Sequence, residues 1–145
     1  MNQIKSLLST KEDWAMLPVR FALAIMMFPH GAQKLLGAFG GYGFGGTMQF
    51  LTNLGFPWIL AFAAVVTEFF APILLILGLG TRLAAFLIFV TMFVAMFMHI
   101  PNGFFMNWYG TQQGEGIEMF ILIFGLAIAL MIQGGGKASL DAKLS

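Results

Sequence analysis

Four long apolar segments constrain this chain more than any other feature of its sequence. They cover about residues 14–36, 57–78, 83–100 and 117–133. Each is close to the roughly 20 residues that an α-helix needs to cross the hydrocarbon core of a bilayer. Backbone N–H and C=O groups find no water there, so each span has to be helical. The sequence therefore predicts an all-α membrane protein, a single domain over residues 1–145 built as an antiparallel bundle of four transmembrane helices.

The amino-acid composition agrees with a surface that faces lipid. Hydrophobic residues make up 59% of the chain and charged residues only 9%, whereas soluble domains carry about 25% charged residues. The net charge is +1 and there is no run of Lys or Arg, which argues against nucleic acid as a partner. Cysteine is absent, so this chain itself forms no disulfide and carries out no thiol redox chemistry. The lipid bilayer is the expected partner.

The distribution of Lys and Arg predicts the orientation of the bundle. Five of these residues lie on the side that the termini share with the short second loop: Lys5, Lys11, Arg82, Lys137 and Lys143. The positive-inside rule therefore places both termini and the tail 134–145 in the cytoplasm, and loops 37–56 and 101–116 outside. In the first outer loop we expect a short interfacial helix, with Met48, Leu51 and Leu54 on its membrane side.

Ionisable residues inside the apolar segments are the main functional signal. A charge near the bilayer centre costs at least about 2.5–3.5 kcal/mol, so each one needs a partner or a purpose. Arg20, His30 and Lys34 fall on one face of the first helix at helical spacing. We expect the outer half of the bundle to gather a polar intramembrane site from the side chains of His30, Lys34, Glu68, His99 and Glu118.

Structural roles compete with this interpretation. Arg20 and Glu68 are predicted to form an ion pair between the first two helices, and Lys34 to extend toward the outer headgroups. Arg82 and Asp141 are predicted to pair and so to order the tail. Glu118 suits the first turn of the fourth helix, and Glu115 suits a solvated loop.

Pro72 adds a local expectation about the second helix. It lies four residues after Glu68, so it cannot donate a hydrogen bond to the Glu68 carbonyl. A bend beside a buried carboxylate favours a small polar cavity.

Several ligands are possible at such a site, and the residues favour some of them over others. A quinone head group suits a His, a Lys and nearby aromatic rings, and a proton relay through His and Glu is an alternative. A metal would draw on His30, His99 and Glu118, but these residues form no local motif, so no metal is assigned. Haem bound by both histidines is disfavoured because they lie at different depths, and iron is not favoured either. Met92 and Met96 share a face with His99, but Met is common filler in lipid-facing helices, which disfavours copper.

The order of these motifs resembles the DoxX family over nearly the whole chain after about residue 17. The resemblance is carried by Arg20, by His30-Gly31-Ala32-Gln33-Lys34-Leu35 and by the Glu68 helix followed by Leu77-Gly78-Leu79-Gly80-Thr81-Arg82. It continues in His99, Gly116-Ile117-Glu118 and Gly134-x-Gly136-x-x-Ser139-Leu140-Asp141. It implies a multi-pass bacterial inner (plasma) membrane protein that is associated with redox work. It also implies that the polar residues named above, with Arg82 and Asp141, are recurrent family positions.

Two functions are favoured over a third, a small-molecule or proton transporter, because four helices leave only a narrow path unless the protein oligomerises. The first is a redox-associated or quinone-interacting protein, an oxidoreductase or a subunit of one, which works with a partner oxidoreductase. The second is a non-enzymatic membrane scaffold or accessory subunit whose buried charges only fix helix packing. Small residues such as Gly37, Gly78, Gly125 and Ala127 allow close helix contacts and a homo-oligomer.

Overall fold

The computed structural model describes residues 8–145 and shows an all-α chain, with no β-strand in that range. Lys5, which contributes to the predicted orientation, lies outside the described residues. Six α-helices have both ends within the range: α1 Met16–Leu36, α2 Gly43–Asn53, α3 Trp58–Leu77, α4 Thr81–His99, α5 Glu118–Gln133 and α6 Asp141–Leu144. Short 3-10 turns follow α1 and α4, at Ala38–Gly40 and Ile100–Asn102.

Proline and glycine set the helix ends. Pro57 immediately precedes α3 in an extended conformation, which suits a residue without an N–H. Gly37 and Gly78 end α1 and α3 in the left-handed conformation, at φ 72° and 65°, where a residue with a Cβ would be strained.

The four long helices pack in a ring. α1 contacts α3, α3 contacts α4, α4 contacts α5, and α5 contacts α1. Side chains from all four helices fill the centre, among them Leu23, Leu75, Ile88 and Leu130, each 0% exposed. We call the end that carries residues 37–57 and 100–117 the loop end, and the other the termini end.

Two of the helices are long and apolar enough to span a membrane. They are α3, Trp58–Leu77, and α4 with its following turn, Thr81–Asn102, each with a mean hydropathy of 2.4 over 18 residues. Only 33% and 22% of these windows are buried inside the protein. A core helix of a soluble protein would be mostly buried, so these exposed apolar surfaces favour contact with lipid.

The predicted short helix of the first loop is present as α2, but its apolar face turns the other way. Met48 is buried and packs with Ala61 and Val65 of α3, and Leu51 packs against the same cluster. Leu54 is exposed. The expected membrane-facing set was therefore wrong for Met48 and Leu51, because α2 folds back onto α1 and α3 and buries these side chains there.

At the termini end, Arg20 does not pair with Glu68 as predicted. The Arg20 side chain is 0% exposed, and its guanidinium donates to the carbonyl oxygens of Leu75 at 3.0 Å, Ile76 at 3.3 Å and Ala138 at 2.5 Å. The last carbonyls of a helix lack partners within it. Arg20 therefore satisfies the end of α3 and ties it to the tail.

The predicted Arg82–Asp141 pair was also wrong. Asp141 is 1% exposed and accepts hydrogen bonds from the backbone N–H groups of Gly80 at 2.7 Å and Thr81 at 2.9 Å. These free donors at the start of α4 carry partial positive charge, which makes them good partners for a carboxylate. The Asp141 charge also attracts Arg20. Arg82 instead donates to the Met131 carbonyl at 2.6 Å, near the end of α5.

Replacement of Asp141 by Ala should therefore destabilise the fold. The change leaves two backbone donors and the Arg20 charge without their carboxylate, and we expect a loss of about 1–3 kcal/mol in the free energy of unfolding. Thermal unfolding in detergent measures it. Lys143→Ala, an exposed change in the same short helix, is the control and should have little effect. Equal stability of the two variants would contradict the assigned role of Asp141.

Candidate functional site

A cavity of about 330 Å³ lies between the helices near the loop end. Its lining comes from α1, α3, α4, α5 and the loop before α5. The polar part includes four of the five predicted site residues and one residue that was predicted to be a solvated loop residue: His30, Lys34, Glu68, His99 and Glu115. Five methionines make up much of the apolar part: Met26, Met27, Met92, Met106 and Met119.

A close contact between two helix backbones sets the geometry of this site. Gly31 of α1 lies against Glu68 of α3, and a Cβ at Gly31 would be 2.2 Å from the Glu68 carbonyl oxygen. Pro72 lies inside α3, four residues after Glu68, so this carbonyl receives no helical hydrogen bond from that position. Only glycine lets the two helix backbones come this close at residue 31. This contact fixes the position of α1 along the axis of α3, which we call the level of α1 relative to α3.

That level explains why Lys34, and not Arg20, neutralises Glu68. Lys34 lies three residues after Gly31, on the same face and about one turn, roughly 5 Å, further along α1. Arg20 lies eleven residues before Gly31, about 16 Å in the other direction. The expectation that Lys34 extends to the headgroups is replaced by an ion pair within the bundle.

The Lys34–Glu68 pair is bidentate and mostly buried. Lys34 Nζ lies 2.6 Å from Oε1 and 2.5 Å from Oε2 of Glu68, and the side chains are 36% and 4% exposed. A carboxylate this buried is costly unless a countercharge and hydrogen bonds compensate it. An ammonium group has three donors. Two contact Glu68, so the ammonium group keeps capacity for one more hydrogen bond, and Lys34 lines the cavity.

His99 is held in one orientation at the end of α4. Its Nδ1 lies 3.0 Å from the Glu115 carbonyl oxygen, and its ring packs against Phe120 with centroids 5.0 Å apart. A carbonyl only accepts, so this contact requires a proton on Nδ1, and the neutral ring then presents Nε2 as an acceptor. His30 also lines the cavity and has no protein hydrogen bond within residues 8–145.

The loop before α5 closes this side of the cavity and is organised by two carboxylates. Glu118 Oε1 accepts from the backbone N–H of Met106 at 2.9 Å and from the Trp108 ring N–H at 3.0 Å. Glu115 Oε2 accepts from the backbone N–H of Asn107 at 2.7 Å. Glu118 therefore does not line the cavity. It holds the loop that places Met106 there.

The residues considered as metal ligands do not form one group. Within residues 8–145, no three His, Asp or Glu side chains are gathered so that they could hold a metal ion. Glu118 is occupied by the loop and Glu68 by Lys34.

Sequence reasoning placed Met92 on the face of His99 but discounted it as filler, and it missed the other four methionines of the lining and the part played by Glu115. A signal for the methionines was present, because Met26 and Met27 precede His30 by four and three residues, which is the spacing of side chains on one helix face. No comparable signal marks Met106 or Glu115, because both lie in an irregular loop whose path depends on tertiary contacts.

Comparison with known proteins adds an independent observation. A family model described as DoxX matches residues 15–100, a range that contains His30, Lys34, Glu68 and His99. The chain is also similar to the "Inner membrane protein YphA" of Escherichia coli (strain K12), with 33% identity over 134 residues, which cover 88% of this chain and 89% of the relative. No solved structure matches the chain.

Gly31→Ala should disrupt the site and the bundle together. The new Cβ would meet backbone atoms at 2.2–2.6 Å, so α1 and α3 have to separate, and we expect a loss of about 1–3 kcal/mol in stability. Gly125→Ala is the matched control in α5, because a Cβ there meets nothing within 4 Å. This control should be neutral or slightly stabilising. Thermal unfolding of both variants checks the prediction, and a tolerated Gly31→Ala would refute the close contact.

Removal of one partner of the ion pair should cost more than removal of both. Lys34→Met leaves the Glu68 carboxylate buried without its countercharge, and we expect a loss of about 3–5 kcal/mol. In the double variant Lys34→Met/Glu68→Met no charge is left in the pair, so it should be more stable than Lys34→Met alone. Chemical unfolding in detergent measures both, and a double variant that is the less stable of the two would contradict this account.

Proposed function

The chain belongs to the DoxX family and is an inner-membrane protein, and from this premise we propose that it binds a quinone-type compound in its intramembrane cavity as a redox-associated protein. The observation that carries the proposal is the pairing of a hydrogen-bond donor, Lys34, with an acceptor, His99 Nε2, in one largely apolar cavity. A quinone offers carbonyl acceptors and its reduced form offers hydroxyl donors. A site with both kinds of group suits both states.

The lining also suits the rest of such a molecule. The Met side chains, Phe120 and Ile123 provide apolar contact for a ring, and the volume of about 330 Å³ lies at the lower end of the range for small-molecule sites. Because the chain has no cysteine, we propose that electrons pass to a partner oxidoreductase and not through a thiol of this protein.

We propose further that all four long helices cross the membrane, with both termini in the cytoplasm and the cavity toward the outer side. Loops 37–57 and 100–117 contain no Lys or Arg. Among the Lys and Arg side chains of residues 8–145, Lys34 is the one near that end, and it is neutralised by Glu68. The others in that range lie nearer the termini end, which agrees with the positive-inside rule.

A second proposal is a non-catalytic accessory subunit, which the bidentate Lys34–Glu68 pair supports. Both oxygens of that carboxylate are occupied within the protein, as expected of a charge that only joins two helices. In that case the cavity would take no quinone, and the consequences of pocket substitutions would be limited to stability.

Quinone binding by purified protein in lipid nanodiscs tests the first proposal. A short-chain benzoquinone and its reduced form serve as probes in equilibrium dialysis. His99→Ala removes one hydrogen bond to the ligand, so affinity for the quinol should fall about 10-fold. Asn102→Ala is the control, because Asn102 donates to the same Glu115 carbonyl at 3.1 Å but does not line the cavity.

The two variants separate a binding role from a packing role. Affinity of Asn102→Ala should stay within about twofold of the unsubstituted protein, since one lost neutral hydrogen bond outside the cavity changes no ligand contact. No binding by the unsubstituted protein would reject quinone binding and favour the accessory subunit. Equal affinity of the two variants would reject the proposed contact between His99 and the ligand.

A further inference from the structure

We propose that the same cavity is a binding site for a soft monovalent metal ion, Cu(I), held by methionine thioethers and a histidine imidazole. The proposal does not depend on quinone binding. It rests on which side chains the fold brings to the cavity, and on the charge that the cavity already contains.

Methionines converge on the cavity from four separate parts of the chain. Met26 and Met27 come from α1, Met92 from α4, Met106 from the loop and Met119 from α5. The chain has eleven Met and twenty Leu, yet five Met and no Leu line the cavity. Leu and Met have similar volumes and replace each other readily in apolar cores. Methionine is therefore over-represented in this lining relative to its share of the chain.

The hydrogen bonding of the His99 imidazole suits a metal ligand. Its Nδ1–H is directed to the Glu115 carbonyl at 3.0 Å, which leaves Nε2 with a free lone pair. Histidines that bind metals nearly always donate their other ring N–H to a carbonyl or carboxylate in this way. His30, which lines the same cavity, supplies a second imidazole.

Charge and ligand type select the metal. The Lys34–Glu68 pair is neutral overall, and the Glu115 carboxylate is bonded to the Asn107 backbone. Zn²⁺ and Fe²⁺ sites usually have at least three His, Cys, Asp or Glu ligands, and no such group exists within residues 8–145. Thioethers are soft ligands that prefer Cu(I). A monovalent cation bound by thioether sulfur and imidazole nitrogen therefore fits this cavity, and Cu(I) is such an ion.

Anaerobic titration of the purified protein with Cu(I), in competition with a chromogenic Cu(I) chelator, tests the proposal. The double variant Met92→Leu/Met119→Leu keeps the side-chain volume and removes two thioethers, so the affinity for Cu(I) should fall at least about 10-fold. The control Met98→Leu/Met131→Leu changes two methionines that do not line the cavity, and its affinity should stay within about twofold. A protein that holds no Cu(I) against the chelator, or equal loss in both variants, would overturn the proposal.

A second measurement does not depend on the folding of any variant. X-ray absorption of the Cu(I)-loaded unsubstituted protein should show sulfur in the first coordination shell, and a shell of only nitrogen and oxygen would overturn the site. An affinity for Zn²⁺ equal to that for Cu(I) would also overturn the proposed Cu(I) site. Quinone binding by the unsubstituted protein, measured separately, distinguishes the two proposals. Cu(I) binding without quinone binding supports a metal site that stands by itself, and quinone binding without any Cu(I) binding rejects the metal site alone.

Discussion

The arrangement of this bundle depends on one buried carboxylate and on the glycine that lets two backbones meet beside it. Glu68 is only 4% exposed in its side chain, in a helix whose other residues are almost all apolar. Such a group has to find a cation, and the cation has to be at the right level of a neighbouring helix. Gly31 sets that level by contact with the Glu68 backbone. Lys34 follows one turn later and completes the pair.

The two ends of the bundle use polar groups differently. At the termini end, Arg20 and Asp141 form hydrogen bonds with backbone groups. Arg20 donates to a carbonyl near the end of α3, and Asp141 accepts from the N–H groups at the start of α4. Helix ends leave such groups without partners, and in an apolar surrounding each missing hydrogen bond is costly. These hydrogen bonds join the tail to the ends of α3 and α4.

At the loop end the polar side chains use only part of their hydrogen-bonding capacity within the protein. Lys34 keeps a donor, His99 keeps an acceptor and His30 has no protein partner within residues 8–145. These groups share the cavity with five methionines. The same lining thus offers hydrogen bonds to a quinone-type ring and soft ligands to Cu(I). Both proposals rest on groups that keep hydrogen-bonding or ligand capacity inside this cavity. At the termini end, Arg20 Nε and Thr81 Oγ1 are buried without a partner within residues 8–145.

The all-α class, the approximate helix limits and four residues of the cavity follow from the sequence alone, because backbone groups in lipid require helices and because buried charges are rare enough to stand out. The sequence does not show which cation pairs with Glu68. Arg20 and Lys34 share one face of α1, and hydropathy does not reveal where along that face α3 packs. The folded chain sets this position through the Gly31–Glu68 contact. It likewise directed Asp141 to the start of α4 instead of to Arg82, and Glu118 to the loop instead of to the cavity, because free backbone N–H groups compete with side chains for a carboxylate and become visible only once the chain is folded.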